Sequence, residues 1–299
     1  VIETAQSEVG LLTRLVVKHA RDAFRSGAVI AGEWQTLGFT APPDFATAVS
    51  EYDRFLALLD DTGAAVDVLP PAAGVGLDSI YVRDASVVCD RGAILCHMGK
   101  PLRQREPAAQ AAMFHATGYP ILGSITPPGR LEGGDIVWLD RRTIAAGRGY
   151  RTNDAGIAQL GALLGDAIDE LVVVQLPHWR GPGDVFHLMS IFSPVDRDLA
   201  VVYSPLMPVP FRERLLDRGL SLVEVPDEEF ATMGANVLAL APRRCVMLAG
   251  NPVTRSRLEH AGADVLAYDG DHISVRGGGG PTCLTRPLRR ADPPPDLPE

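Results

Sequence analysis

A thiol, an imidazole and two carboxylates recur in this 299-residue chain at one position of a repeating pattern: Cys283, His187, Asp84 and Glu132, with Asn236 as a fifth member. They are spaced by about 50 residues, each at or just before the start of a strand-rich segment. Repetition of that kind, with different chemistry at each entrance, implies a ring of units aiming those groups at a common axis. Sulfur supplies a nucleophile once it is a thiolate, and imidazole moves protons near neutral pH. Two planar carboxylates facing one centre suit a guanidinium or amidinium, whose fork of N–H donors they can meet in a bidentate way.

Each group has a plainer alternative. Cys89, Cys96 and Cys245 sit in the apolar runs VVCD, ILCHM and RRCVML, where cysteine acts as a small buried hydrophobe. Cys283 differs, because it follows GGGGPT, and a glycine run leading into a single strand is expected to place its thiol at an exposed corner with positive φ nearby. No GK[ST] follows that run, so a phosphate-cradling loop is disfavoured. His187, in DVFHLMS, would read as a core histidine were it not at the repeat position. His178, in PHWRGPGD, is expected at the surface or on a loop over the site. Asp84 and Glu132 lie in apolar surroundings where an unpaired carboxylate is costly. A cationic ligand would relieve that cost, as would internal pairing with Arg83 or Arg151. Asp135 is expected to order the Gly-Gly turn of LEGGD, and Asp78 to hold a substrate amine at the mouth. Neither HExxH nor CxxC spacing occurs, so no metal and no cofactor are expected.

The elements that must position these groups follow from hydrophobic period. After Asp84 the chain reads strand (ASVVCD), strand (GAILCHM), helix (QREPAAQAAMFHATG) and strand (YPILGSI). The same order returns after Glu132, His187 and Asn236. The fifth unit is split, with LTRPLRR after Cys283 supplying one strand, and LTRLVVKHA, the helix-like PDFATAVSEYDRFLALLDDTG and AVDVLP near the N-terminus supplying the rest. A ring closed by its terminal strands has no open edge. The expected fold class is therefore α/β, one domain over residues 1–290 built of ββαβ repeats, with an insertion near 21–43 and a proline-rich tail at 291–299.

Net charge is -9 and no Lys/Arg cluster resembles a nucleic-acid footprint. No apolar run reaches the length of a membrane span, and no signal-peptide pattern opens the chain, so a cytoplasmic location is the expectation. A homo-oligomer is compatible with the sequence but not indicated by it.

GLDSIYVRD, LEGGDIVWLD, RGYRTN, FHLMS and GGGGPTCLT together resemble the successive motifs of the guanidino-group-modifying superfamily, which includes dimethylarginine dimethylaminohydrolase, arginine deiminase and glycine amidinotransferase. The resemblance spans most of residues 10–290. It implies a five-bladed α/β propeller, or pentein, of ββαβ units with pseudo-five-fold symmetry. It also implies Cys283 as nucleophile, His187 as acid and base, Asp84 and Glu132 as holders of the cation, and Arg103 and Arg151 as rim partners of a substrate α-carboxylate. The small-molecule substrate implied is a guanidino compound, with Nω-methylated arginine going to citrulline and methylamine. Arginine deiminases carry HLD, whereas Met189 stands two residues after His187 here, leaving room and apolar surface for a substituted guanidine. Amidino transfer or arginine deimination on the same site are alternatives, and a non-catalytic pentein binding module is a more distant one.

Overall fold

Every β-branched run singled out above becomes a strand, and the units follow one another in the expected order. The structure is a computed structural model that describes residues 2–60, 62–184 and 186–292. In chain order the N-terminal part supplies β1 (Ile2–Thr4), β2 (Leu11–Val17), α1 (Ala20–Phe24), α2 (Gly27–Leu37), α3 (Phe45–Asp60) and β3 (Ala65–Val68). The next unit holds β4 (Ser86–Cys89), β5 (Gly92–Leu95), α4 (Glu106–Thr117) and β6 (Ile121–Ser124). Then come β7 (Ile136–Trp138), β8 (Thr143–Arg148), α5 (Asp154–Leu164) and β9 (Glu170–Gln175). The fourth unit has β10 (Phe192–Asp196), β11 (Leu199–Val202), α6 (Val209–Asp217) and β12 (Ser221–Glu224), followed by the short α7 (Asp227–Phe230). Finally β13 (Leu238–Ala241), β14 (Arg244–Leu248), α8 (Pro252–His260) and β15 (Asp264–Tyr268) precede the last strand, β16 (Thr285–Asp292).

The fold is mixed α/β with small separate sheets. In β4-β5-β6, β7-β8-β9, β10-β11-β12 and β13-β14-β15 the first pair is antiparallel and the second parallel. A parallel pair needs a crossover, and the helix of each unit provides it. The remaining sheet runs β1-β16-β2-β3, with β16 antiparallel to β2 and β2 parallel to β3. The chain ends are thus zipped into one sheet, as the split fifth unit requires. A short strand not foreseen in the sequence, β1, adds to the far side of β16, pairing Ile2 with Asp292. Ala291 and Asp292 therefore belong to the sheet and not to the tail expected from 291 on; residues 293–299 lie outside the described residues.

Burial falls from the first strand of a unit to the third. All four residues of β4 are buried, whereas β6 has none buried and β3 is half-buried or exposed along its length. Strands covered on both faces read as continuous apolar runs, and this is why the inner strands were the easiest to recognise. The insertion expected near 21–43 forms α1 and α2, with the Ser26 hydroxyl accepting from the Val29 N–H at the start of α2. Ile30, Leu37 and Phe39 are buried in one cluster with Leu77, Ile80 and Tyr81, so the insertion packs on the segment that leads to Asp84. Among the described residues no helix is long and apolar enough to cross a membrane.

Three buried arginines, Arg83, Arg286 and Arg290, lie near the acid Glu8, which accepts from Arg83 Nη2 at 2.7 Å, with Asp84 also near Arg286 and Asp292 near Arg290. Burial and the neighbouring Arg83 charge pull Arg286 and Arg290 below the ordinary arginine range, and Glu8 opposes that. Removing one partner of a buried pair strands the other. Glu8→Gln is therefore expected to destabilise the fold by about 3–5 kcal/mol, read from the urea midpoint at constant m-value.

Candidate active site

The four repeat-position groups enter the interior from short turns that precede the first strand of a unit. Asp84 lies in the turn Val82–Ala85 before β4, while Glu132 and His187 immediately precede the turns Gly133–Asp135 and Leu188–Ser190. These turns pack on one another in succession. Asp84, Glu132 and His187 consequently meet, with ligand atoms within 4.8 Å of one another. Such a trio could accommodate a cation, although arginines already neutralise both carboxylates.

His187 is the hub. Its Nε2 lies 2.8 Å from Glu132 Oε2, and Nδ1 lies 3.9 Å from Asp84 Oδ1. The glycines of LEGGD are demanded by this approach: a Cβ on Gly134 would stand 2.6 Å from His187 Nδ1 and 2.8 Å from Asp84 Oδ1. Gly134 instead donates its N–H to Asp84 Oδ1 at 3.0 Å. Asp135 does more than order the turn, because its Oδ1 accepts from the Leu188 N–H and ties the Glu132 and His187 turns together.

Burial alone would lower the pKa of His187, but Asp84, Asp135 and Glu132 outweigh it and raise the imidazole to about 9. Glu132 is pushed up by burial yet held well below the usual carboxylate range by the His187 hydrogen bond and Arg151. Imidazolium is thus the resting form at neutral pH. Because the folded value exceeds the unfolded reference of about 6.5, protonated His187 stabilises the fold fully below that pH, and the contribution fades as pH rises through about 9. Glu132→Gln is expected to bring the His187 titration midpoint, followed by NMR of the ring, down towards the reference value and to flatten that part of the stability profile.

Cys283 is only 9% exposed, so the corner expected to be open is the floor of a cavity. Asn236 builds it: Oδ1 accepts from the Thr282 N–H at 3.1 Å, and Nδ2 lies 3.8 Å from Cys283 Sγ. The glycine run serves close approach more than backbone strain, since a Cβ on Gly280 would stand 2.4 Å from Asn236 Oδ1 and only Gly278 of the four has positive φ. Burial first, then the Asp84 charge, push the thiol up to about 11, against hydrogen bonds from Thr282 and Gly280. With no cation beside it, Cys283 is therefore a neutral thiol at neutral pH. Cys89, Cys96 and Cys245 are buried in strand-rich core, as expected.

Cys283 and His187 line one open cavity of about 820 Å³ together with Met189. Its narrow inner end is walled by Asp78, Asp84, Arg103, Arg151, His187 and Cys283. Glu132, fully buried, stands behind that wall.

The arginines depart from the expected rim. Arg103 is buried, with Nη1 2.6 Å from Asp84 Oδ2, Nε and Nη2 on Glu106, and Nη2 also 3.0 Å from the Tyr81 carbonyl. Arg151 is buried as well and reaches Glu132 through Nη1 at 3.1 Å. The two carboxylates are therefore internally paired, Glu132 by the expected Arg151 and Asp84 by an unforeseen Arg103. Asp78 is also occupied, by Lys100. His178 sits at the surface against the Tyr150 hydroxyl at 2.6 Å, beside Trp179 and Arg180 on the loop that edges the cavity.

The chain matches the family described as N,N dimethylarginine dimethylhydrolase, eukaryotic, over residues 44–290. It belongs to that family. N(G),N(G)-dimethylarginine dimethylaminohydrolase of Streptomyces coelicolor is 30% identical over 247 residues, covering 82% of this chain and 88% of its own. Two solved structures share the fold. One is a Cys-to-Ser mutant of the Pseudomonas aeruginosa dimethylarginine dimethylaminohydrolase complexed with citrulline, with TM-score 0.72, 21% identity and coverage of 93% of this chain and 99% of that one. The other is an amidinotransferase of saxitoxin biosynthesis from Microseira wollei, with TM-score 0.77, 16% identity and coverage of 96% and 97%. As a member of the dimethylarginine dimethylhydrolase family, the protein is a hydrolase acting on C–N bonds in linear amidines.

Several residues that line the site carry no signal in the sequence. Lys100 follows a glycine with no motif around it, and Glu106 looks like an ordinary first-turn acid of α4. Arg130, Trp179 and Arg180 line the cavity from loops whose sequences carry no periodicity.

Proposed function

We propose that the protein hydrolyses an Nω-substituted guanidinium through a covalent Cys283 intermediate, with methylated arginine as the simplest carrier of the reacting group and citrulline and a methylamine as its products. The observation that carries this reading is that Cys283, His187 and Asp84 wall the narrow end of one cavity, with Glu132 behind His187. We also infer that the five sheets stand as blades of a closed propeller. Packing of β16 on β4, of the turn before β4 on that before β7, of that turn on the one before β10, of β10 on β13 and of β13 on β2 supports it, because the sequence of contacts returns to its start.

A guanidinium entering against Asp84 replaces the field that keeps the thiol protonated with a positive one, so its binding releases the Cys283 proton to solvent. Thiolate sulfur then forms a bond to the guanidinium carbon. His187, charged at rest, gives its proton to the departing nitrogen as the C–N bond breaks, leaving a cationic S-linked thiouronium and a neutral amine. The neutral imidazole takes a proton from water and becomes imidazolium again, hydroxide adds to the same carbon, and the C–S bond breaks as the added hydroxyl gives its proton to the departing sulfur, leaving a ureido product and the Cys283 thiol. Glu132 holds the ring through both half-reactions, and Arg103 holds Asp84. Met189 in the cavity wall favours an alkyl substituent over a bare guanidinium. Of the two arginines expected at the rim, Arg151 retains donors beyond Nη1; Asp78, expected to hold a substrate amine at the mouth, lies at the inner wall.

Incubation with arginine, methylated arginines and agmatine, with products read by mass spectrometry, tests the proposal. Methylamine release is expected. Ammonia from arginine would make it a deiminase, and a new guanidine appearing only with added glycine or ornithine would make it a transferase.

A further inference from the structure

Lys100 stands where an ammonium from a ligand would be received. Its Nζ donates to the Leu37 carbonyl at 2.6 Å and to Asp78, the acid expected to hold a substrate amine. Both side chains are largely buried, at 17% and 6% exposure. The lysine backbone is pinned too, since its N–H donates to Glu132 Oε1 at 3.0 Å and a Cβ on neighbouring Gly99 would collide with the Arg151 backbone at 2.5 Å. The chain thus fills its own ammonium site.

Other acids offer little in compensation. Asp84 is bound to Arg103 and the Gly134 N–H, and Asp184 lies on the outer loop, away from the narrow end that Asp78 and Asp84 wall. The outer wall is cationic: Arg130 and Arg180 line it, and neither has a carboxylate partner among the described residues, Arg180 lying over the Trp179 ring at 5.0 Å. A second ammonium at the inner end would face the largely buried Lys100, where screening is weak and like charges repel strongly. An anion further out would meet two open guanidinium groups. The volume of about 820 Å³ is in the range that takes a drug-sized ligand, which leaves space for a substituent on the α-nitrogen.

We infer that the preferred substrate is an anionic guanidino compound with no free α-ammonium: one whose α-nitrogen is absent or acylated. This rests on the reading of the Cys283 cavity as a guanidino hydrolase site. Lys100 then acts as a specificity residue, supplying the cation that a free amino acid would bring.

Three compounds with the same Nω-methylguanidinium and chain length decide it: Nω-methylarginine, its Nα-acetyl derivative and the des-amino acid 5-(N′-methylguanidino)pentanoate. On the unaltered protein, kcat/KM for the two lacking the ammonium is expected to exceed that of the free amino acid at least tenfold. Lys100→Met, which frees Asp78 and keeps the backbone N–H to Glu132, is expected to narrow or reverse that ratio. Lys100→Gln removes the same charge should the methionine variant not fold. Equal or better turnover of the free amino acid by the unaltered protein overturns the inference while leaving the hydrolase reading intact, and so does an equal loss on all three compounds in the Lys100 variants. Methylamine from none of the three overturns the hydrolase reading, and this inference with it.

Discussion

Cys283→Ser is expected to lower kcat for amine release by about 10⁴-fold or more while leaving the dissociation constant for a guanidine within about threefold of the unaltered protein. The serine hydroxyl is isosteric with the thiol, and the cavity floor made by Asn236 and Thr282 has no need of sulfur to keep its shape. On the proposed reading, binding rests on the carboxylates and not on Cys283, so it should survive. What is lost is ionisation. The thiol, at about 11 with no cation beside it, is within reach of a bound guanidinium, whereas a hydroxyl in the same place is not. Turnover is read by amine release and affinity by calorimetry on the same preparation. Undiminished turnover would remove Cys283 as the nucleophile.

The core of this arrangement was legible because it repeats. Asp84, Glu132, His187, Asn236 and Cys283 sit before strands that are largely buried, and a signal copied four times outweighs the weakness of any single EGGD or FHLM motif. The fifth unit was recoverable from its halves because β2 has a strong apolar pattern with no antiparallel partner nearby in sequence, and a lone strand follows Cys283 to supply one. By contrast, the state of the carboxylates was not legible. Whether Asp84 awaits a ligand or already holds Arg103 depends on how a turn after Lys100 folds back, and Arg103 is separated from Asp84 by an entire hairpin. The same holds for Lys100 on Asp78, since a lysine on a loop carries no pattern that says where its ammonium ends. Solvent exposure of Cys283 was misjudged for a related reason: a run of four glycines suggests an open, strained backbone, yet Gly280 is small because Asn236 presses against it.

Asp84→Asn separates the two roles of that carboxylate, because they push the nucleophile in opposite directions. With no cation present, the Asp84 charge, second to burial, keeps the Cys283 thiol protonated; neutralising it should lower the thiol pKa from about 11 and speed alkylation by iodoacetamide at pH 8. In the liganded site the same carboxylate faces the cation, and its loss should weaken guanidine binding by about 2–5 kcal/mol, as truncating one side of a buried charge pair does. The variant is therefore expected to be more reactive to a neutral alkylating agent and much less active on substrate. Asp135→Asn provides the control, since Asp135 bonds the Leu188 N–H and lies off the cavity wall; it should weaken binding far less. A purely structural Asp84 would slow both reactions together. Equal binding losses in the two variants would mean that the cation is held by some other acid, and alkylation unchanged in Asp84→Asn would mean that the carboxylate has no hold on the sulfur.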